Sequence, residues 1–196
     1  MKYLFLLAAY LLGSIPTGYL LFRLKEKQDI RGFGSQNIGA TNVLRVTGWR
    51  LALLVAVADI LKGAVPVYLS LKLFPEPWVA YGAGLAAIVG HCYPVFIGFR
   101  GGKGVATSIG VYSVLALMPL FLIVAVFIGV ITLTRYVSLG SLSAAFSFPL
   151  LVLILNGEPG TALLGAAVFM LIAFRHRQNI ERLVRGTERK LGSKKT

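Results

Sequence analysis

The sequence predicts an all-α polytopic membrane protein with about seven transmembrane helices, an N-terminus outside and a cytoplasmic C-terminus. Of its 196 residues, 57% are apolar and only 14% are charged. Its mean hydropathy of +0.78 lies outside the range of soluble domains of this size. Lys and Arg gather beside some apolar segments and are absent from the turns beside others. No Pro/Ser-rich linker divides the chain, so we expect a single domain over residues 1–196.

The predicted spans follow from length and from the distribution of basic residues. The first apolar segment, residues 3–22, has 20 residues, which at ~1.5 Å per residue crosses ~30 Å of hydrocarbon. No small-residue cleavage site closes it, so we interpret it as a span and not as a signal peptide. The seven predicted spans are residues 3–22, 51–73, 78–98, 105–117, 119–134, 137–155 and 161–174.

The uncharged segment 105–134 admits one tilted helix or two short ones. Basic residues cluster at 23–50 and from 175 onward, and both regions are expected inside because cytoplasmic loops retain positive charge. The turns at 75–77 and 156–160 contain no Lys or Arg and are expected outside. For the basic regions to lie inside and these turns outside, segment 105–134 must cross the membrane twice, with a break near Met118 and Pro119. A single helix would place the basic tail outside.

Three polar runs then fall on the cytoplasmic side, together with 17 of the 20 basic residues. The runs are GFGSQNIGATNVLR (32–45), GFRGGKGVATS (98–108) and RHRQNIERL (175–183). Gly, Asn, Thr and Arg are unfavourable against lipid, so we expect them to line a polar cavity or to contact a ligand. The net charge of +13 is explained by the membrane face, and no aromatic-rich basic surface indicates nucleic acid.

The first run has the composition of a phosphate-binding loop. Gly32, Gly34 and Gly39 allow backbone conformations in which amide groups converge on an oxyanion. The alternative is an ordinary Gly-rich turn that ends in a helix cap. The run also carries neutral donors and one cation: Ser35, Asn37, Thr41, Asn42 and Arg45.

The second run resembles a nucleotide-binding P-loop but does not match its pattern. Ile97 occupies the position of the first glycine, and a further glycine follows Lys103 where Ser or Thr is required. Nucleoside triphosphate hydrolysis is therefore not expected. The backbone amides of Gly101 and Gly102, the charge of Lys103 and the start of a helix at Val105 still favour a phosphate ligand.

The third run contributes His176 and Asn179, which are three residues apart and are expected on one helix face. His176 is a candidate general base, and the alternative is a neutral partner of headgroups or backbone. Glu181 stands where a soluble-type acyltransferase box has Asp, which weakens that assignment. The serines that follow Arg135 either extend the polar wall or assist helix packing: Ser138, Ser141 and Ser143.

Polar residues inside the spans favour structural roles. Asp59 and Lys62 are expected to neutralise each other, because an unpaired charge in the membrane is costly. His91 is expected to be a hydrogen-bonded interior residue and not a metal ligand. The seven acids form no cluster in the sequence that could hold Mg²⁺, so neither a metal nor a cofactor is expected. The single Cys92 excludes an internal disulfide.

Taken together, GSQNIGATNVLR, GGKGVATS and HRQNIERL resemble, in this order, the signature motifs of the bacterial acyl-phosphate:glycerol-3-phosphate acyltransferases, the PlsY family. The resemblance covers nearly the whole chain, including HCYPVF before the second motif. It implies acyl transfer from acyl phosphate to the 1-hydroxyl of glycerol 3-phosphate, giving lysophosphatidate and inorganic phosphate. It also implies a multi-pass protein of the bacterial inner membrane, surrounded by lipids, with a cytoplasmic active site. The enzyme that supplies acyl phosphate is a candidate partner.

The expected active site combines segments 32–45, 98–108, 135–143 and 175–183. We assign the donor phosphate to Ser35, Asn37, Thr41 and Asn42. Glycerol 3-phosphate is assigned to Arg45, Lys103, Ser141, His176 and Asn179. The proton of the attacking hydroxyl passes to the donor phosphate or to His176. The competing classes are a small transporter of a phosphorylated metabolite and a membrane scaffold. The predicted substrate-binding residues are Ser35, Asn37, Gly39, Thr41, Asn42, Arg45, Gly102, Lys103, Ser141, His176 and Asn179.

Overall fold

The computed structural model describes residues 1–155 and 157–192, and all regular elements within these residues are helical. Short 3-10 turns lie at Ile30–Gly32 and Val95–Ile97. Part of the predicted outer turn, Asn156, and two basic tail residues, Lys194 and Lys195, lie outside the described residues. The α-helices are α1 Lys2–Gly13, α2 Thr17–Glu26, α3 Ala40–Thr47, α4 Trp49–Leu73, α5 Pro77–Cys92, α6 Val105–Leu115, α7 Leu117–Thr134, α8 Val137–Ile154, α9 Pro159–Arg175 and α10 Arg177–Val184.

Several helical segments are long and apolar enough to cross a bilayer. Within the described chain there are five: Lys2–Glu26, Trp49–Leu73, Pro77–Ile97, Leu117–Thr134 and Val137–Ile154. The pair α9 and α10, bent by 65°, makes a sixth if it is counted as one span. Helix α6 has 11 residues, about 16 Å, roughly half the hydrocarbon thickness. The all-α class agrees with the expectation, whereas seven crossings and their orientation stay predictions.

The first predicted span is interrupted. Helix α1 ends at Gly13 and α2 begins at Thr17, with Pro16 as the N-cap of α2. Proline lacks an N–H and disfavours a helical conformation in the residue before it, so the break falls where the chain chemistry requires one. The helical segment then continues to Glu26, beyond the predicted end at residue 22.

The segment 105–134 forms two helices and not one. The chain breaks at Ala116, whose φ of −156° and ψ of 76° are not helical. This is two residues before the predicted break. The third predicted span, 78–98, is also shorter as a helix, because α5 ends at Cys92.

The chain forms two compact units, Met1–Val114 and a second that begins at Leu115. In the first unit, glycines let helices approach closely. A Cβ on Gly13 or Gly90 would stand 2.2 or 2.3 Å from a backbone carbonyl oxygen where α1 crosses α5. Gly63 and Gly110 are equally confined, at 2.2 and 1.9 Å, where α4 crosses α6. Such contacts replace the hydrophobic drive that is missing between helices in lipid.

The first unit has two distinct ends. Lys2 forms an ion pair with Glu76 at one end, which joins two residues that the sequence places outside. At the other end, Arg31 donates a hydrogen bond to the carbonyl of Ile97, 3.4 Å away, which joins the neighbourhoods of the first and second polar runs. Helix α4 connects the two ends with 25 residues, about 37 Å.

In the second unit, the chain returns after α10 to the start of α8. Gly186 adopts a φ of +68°, a conformation that glycine reaches without strain, and this turn reverses the chain. The backbone N–H of Leu191 then donates to the carbonyl of Arg135 at 2.7 Å. The Arg135 guanidinium donates in turn to the Leu191 carbonyl at 2.9 Å.

Candidate active site

Asn42 organises the first polar run. Its Oδ1 accepts the backbone N–H of Ser35 at 2.7 Å. Its Nδ2 donates to the carbonyls of Phe33 and Asn37 at 3.0 and 2.8 Å, and the residue is buried. Both amide donors are therefore used to hold the loop. Asn42, which the sequence predicts to bind the donor phosphate, therefore directs its amide donors at the loop.

The three glycines of this run are not equivalent. Gly34 has a φ of +59°, and a Cβ there would stand 2.3 Å from Oδ1 of Asn42, so glycine is required. Gly39 has an ordinary φ of −74° and is the N-cap of α3. A Cβ on Gly32 would meet no atom within 4 Å. Of the three, only Gly34 adopts a positive φ, which other residues rarely adopt.

The remaining polar residues of the run lie around the start of α3. Oδ1 of Asn37 accepts the backbone N–H of Gly39 at 2.9 Å, which forms an Asx turn into the helix. Ser35 and Arg45 are exposed, and Thr41 is half-buried. Thr41 and Arg45 are separated by about one turn of α3, as the spacing predicts.

The second run is pressed against the end of α5. The backbone N–H of Gly102 donates to the His91 carbonyl at 3.0 Å. A Cβ on Gly102 would stand 1.9 Å from Nε2 of His91, and one on Gly101 would stand 2.2 Å from the His91 carbonyl oxygen. Lys103 is half-buried, and α6 begins two residues later, as expected, at Val105.

Two contacts bring the first and second runs to the same end of the first unit. Arg31 reaches Ile97 while its guanidinium also binds the carboxylate of Asp29 at 2.7 Å. The Arg31 hydrogen bond holds the pKa of Asp29 below its usual value, and the same bond raises the pKa of Arg31. Ile97 also packs on a buried apolar cluster beneath the first run: Phe22, Ile30, Ile38, Val43, Ala52 and Val55.

A buried polar cluster lies behind the second run. Asp59 and Lys62 form an ion pair at 2.8 Å, which confirms the expected neutralisation. Nδ1 of His91 lies 3.5 Å from the same carboxylate, and Thr17 donates a hydrogen bond to it. Lys62 also donates to the carbonyl of Ile15 at 2.9 Å, a group left without a helical partner by the break between α1 and α2.

In the second unit, His176 occupies the bend between α9 and α10. Its ring nitrogen Nδ1 lies 2.8 Å from the carbonyl of Ile172. A carbonyl only accepts, so Nδ1 carries the proton in the neutral ring and Nε2 carries the lone pair. His176 is buried, and its carbonyl accepts the backbone N–H of Asn179 at 2.8 Å. The two residues are neighbours, but at a helix junction and not on one continuous helix face.

Asn179 is held by the carboxylate of Glu188, which no local sequence pattern predicts. Its Nδ2 donates to Oε1 of Glu188 at 2.6 Å. Ser138 donates to the same oxygen at 2.8 Å, and Nε of Arg182 donates to Oε2 at 2.7 Å. Glu188 is the one acid in the sequence after Glu181, within a basic tail, and this is the sequence signal that could have indicated a specific partner.

Burial and hydrogen bonding act on the pKa of Glu188 in opposite directions. Its side chain is 5% exposed, and burial acts to raise the pKa of the carboxyl. The hydrogen bonds from Arg182, Asn179 and Ser138 outweigh burial and hold the pKa below its usual value. Ser141, which the sequence predicts to bind substrate, is buried and donates within α8 to the carbonyl of Val137 at 2.9 Å.

A metal site was not expected from the sequence. Among residues 1–155 and 157–192, no group of three or more His, Cys, Asp or Glu side chains is arranged to hold a metal ion. Cys92 is buried and forms no disulfide.

Comparison with known sequences gives a consistent result. The family described as glycerol-3-phosphate acyltransferase matches residues 3–186. The glycerol-3-phosphate acyltransferase of Syntrophotalea carbinolica is 48% identical over 187 residues, which cover 95% of each chain. The protein of the same name from Geobacter sulfurreducens is 46% identical over 181 residues, which cover 92% of each chain.

Comparison with solved structures agrees. A crystal structure of PlsY, an integral membrane glycerol 3-phosphate acyltransferase, in its glycerol 3-phosphate form is 39% identical and superimposes with a TM-score of 0.93. The alignment covers 97% of this chain and 96% of that one. The lysophosphatidic acid form of PlsY gives a TM-score of 0.90 at 38% identity, covering 97% of this chain and 95% of that one.

Proposed function

The chain belongs to the glycerol-3-phosphate acyltransferase family, and from this premise we propose that it acylates the 1-hydroxyl of glycerol 3-phosphate with acyl phosphate as the donor. The products are lysophosphatidate and inorganic phosphate. The observation that carries the proposal is the family match over residues 3–186. All three polar runs lie within that range.

The proposed reaction is a single acyl transfer. The hydroxyl oxygen of glycerol 3-phosphate attacks the acyl carbonyl carbon, a new ester bond forms, and the bond between that carbon and the phosphate oxygen breaks. The hydroxyl proton leaves with a base, and inorganic phosphate is the leaving group. Acyl phosphate is an activated mixed anhydride, so its barrier to acyl transfer is lower than that of an ester. Holding the two reactants together can lower the activation barrier by a further ~7–11 kcal/mol in favourable cases.

We assign the donor phosphate to the loop that precedes α3. Ser35 is exposed at this loop, Thr41 lies in the first turn of α3, and Asn37 and Gly39 form the turn that leads into the helix. The N-terminal end of α3 favours an anion through its backbone dipoles. Asn42 serves the site by fixing this loop, because its own donors are occupied.

We assign glycerol 3-phosphate to the cationic and polar residues that the sequence predicts for it. Arg45 and Lys103 supply positive charge. The Gly102 N–H is bonded to the His91 carbonyl, so Gly102 serves the site by fixing the backbone beside Lys103. We assign the glycerol part to Ser141, His176 and Asn179. Arginine binds phosphate through two parallel hydrogen bonds, whereas lysine acts as a point charge.

Two groups are candidates for receiving the hydroxyl proton. One is an oxygen of the donor phosphate, because this phosphate is bonded to the reacting acyl carbon. The other is Nε2 of His176, which holds the lone pair because Nδ1 donates to Ile172. His176→Ala separates them: a protein base predicts a fall in kcat of ~100-fold or more with little change in KM. A change mainly in KM would reject the His176 base.

We further propose that the protein lies in the bacterial inner membrane with this site facing the cytoplasm. The basic residues beside the three runs then lie inside, and the Lys2–Glu76 end lies outside. Acyl phosphate reaches the site from the lipid phase because its tail is apolar. The enzyme that makes acyl phosphate is the natural partner at the same face.

Purified protein in lipid nanodiscs, supplied with palmitoyl phosphate and labelled glycerol 3-phosphate, tests the activity. We expect labelled lysophosphatidate and inorganic phosphate in a 1:1 ratio. Palmitoyl-CoA in place of palmitoyl phosphate is the matched control and should give no product. Equal product from the thioester would contradict the proposed donor.

Cysteine labelling tests the orientation. The native thiol of Cys92 is buried, so a new cysteine at Ala116 provides the main accessible target. A membrane-impermeant maleimide should label Ala116→Cys in intact spheroplasts and should label Ser35→Cys only after permeabilisation. The reverse pattern, or labelling of both from outside, would contradict the topology.

A further inference from the structure

We infer that His91 is a positioning residue for the second polar run, held by the buried Asp59–Lys62 pair, and that it sets the place of the Gly102 amide and of Lys103. The inference rests on the proposed function, because it concerns the part of that site assigned to glycerol 3-phosphate. The supporting contacts all lie within the first unit.

The first support is the fit between His91 and the two glycines. The His91 carbonyl accepts the N–H of Gly102 at 3.0 Å, and the imidazole lies where a Cβ of residue 102 would be, 1.9 Å from Nε2. A Cβ on Gly101 would stand 2.2 Å from the oxygen of the same carbonyl. One residue therefore confines both glycines, and the backbone immediately before Lys103 has little freedom.

The second support is the way in which the imidazole is held. Its Nδ1 lies 3.5 Å from Asp59, while Nε2 is on the side of Gly102. His91 is 3% exposed, and Asp59 and Lys62 are 2% and 5% exposed. A carboxylate and an ammonium so deep in an apolar helix are costly, and the contact of Asp59 with His91 links this pair to the second run.

The third support is the anchoring of the pair itself. Lys62 donates to the carbonyl of Ile15 at 2.9 Å, and Thr17 donates to Asp59. These residues flank the break between α1 and α2. Three elements therefore meet at this cluster: the interrupted first segment, α4 and α5. The connection from the break to Gly102 is continuous, and each step is a polar or a close steric contact.

A double-mutant cycle tests the inference. Gly102→Ala forces a methyl group into the imidazole, so we expect the KM for glycerol 3-phosphate to rise ~10-fold or more with kcat changed less than ~3-fold. His91→Ala should raise the same KM by a smaller factor, because the loop loses its support. The double variant should have a lower KM than Gly102→Ala, because the vacated imidazole site accepts the new methyl group.

Two additional variants keep the result interpretable. Gly129→Ala is the matched control, because a Cβ there would meet no atom within 4 Å, and it should leave the KM unchanged. If His91→Ala does not fold, His91→Asn replaces it in the cycle, since it retains a polar group for Asp59 and leaves room at Gly102. A double variant whose KM equals the product of the two single effects would overturn the inference.

The melting temperatures of the same proteins separate this inference from the proposed function. Wild-type protein that makes no lysophosphatidate would refute the function. The inference is then judged on the melting temperatures alone: Gly102→Ala should lower the Tm, and removal of the imidazole should recover part of the loss. Additive changes in Tm would overturn it.

Discussion

Each compact unit contains one carboxylate that collects donors, and the two differ in how the fold supports them. In the first unit, Asp59 lies within α4 and binds Lys62 one turn away on the same helix. In the second unit, Glu188 lies beyond the last helix and binds Asn179, Arg182 and Ser138 after the chain has turned back. The first arrangement is local in the sequence, and the second depends on a returning tail.

This difference separates two roles. A charge pair within an apolar helix cannot exchange its partners for water, so its loss should appear mainly as lost stability. Glu188 is at the end of the described chain and fixes Asn179, to which we assign substrate. Its loss should therefore appear both in local stability and in substrate binding.

The largest expected effect is that of Asp59→Ala. It leaves Lys62 without its carboxylate inside the membrane span, and breaking a buried pair in this way costs roughly 3–5 kcal/mol. We expect a large fall in the melting temperature in detergent. Asp59→Leu combined with Lys62→Met removes both charges and should recover most of the loss. A double variant as unstable as Asp59→Ala would show that the pair matters beyond neutralisation.

The next largest effect is expected for Glu188→Gln. The amide keeps the shape of the carboxylate but directs an NH₂ group at donors, and hydrogen bonds to a charged group are each worth about 1.5–3 kcal/mol. We expect faster proteolysis of the tail after Gly186 and a raised KM for glycerol 3-phosphate, because Asn179 is released. An unchanged KM with a loosened tail would remove Asn179 from the proposed site.

A change of pH is expected to have a smaller effect on the melting temperature. The folded pKa of Glu188 lies below its unfolded value, which is about 4.3 for glutamate. Its stabilising contribution is therefore complete above that unfolded value and is lost as the pH falls through the lower folded pKa. The difference in Tm between wild type and Glu188→Gln should be constant near neutral pH and shrink below pH ~4. A difference that grew on acidification would contradict the assigned direction.

The smallest effect is expected for Glu181→Ala. Glu181 and Arg185 form an exposed pair on α10 at 2.8 Å, with side chains 56% and 71% exposed. Such pairs contribute only about 0.3–0.5 kcal/mol. We expect activity and Tm close to wild type, which makes this variant the control for Glu188→Gln. A loss as large as that of Glu188→Gln would show that any acid in this region matters.

The same contrast explains what the sequence could and could not predict. Asp59 and Lys62 were recognised because helical periodicity alone places residues three apart on one face. Glu188 was missed because its partners lie on α8 and α10, and no local pattern specifies where a tail returns. The break at Pro16 was predictable from proline chemistry, but the apolar segment around it was long enough to be interpreted as one uninterrupted helix.

The residues assigned to the site stay predictions, and the sequence located only part of the structure around them. The helix start at Val105 was predicted from the sequence. The amide donors of Asn42 bind its own loop, and His91 confines Gly102. Neither contact could be predicted from the sequence. Both are contacts between residues whose separation along the chain carries no periodic signal.

The central proposal is that Arg45 and Lys103 bind the phosphate of glycerol 3-phosphate. A crystal structure of this protein with glycerol 3-phosphate bound tests it most directly. The account predicts phosphate oxygens within ~3.2 Å of the Arg45 and Lys103 side chains. A bound molecule whose phosphate lies remote from both side chains would contradict the account.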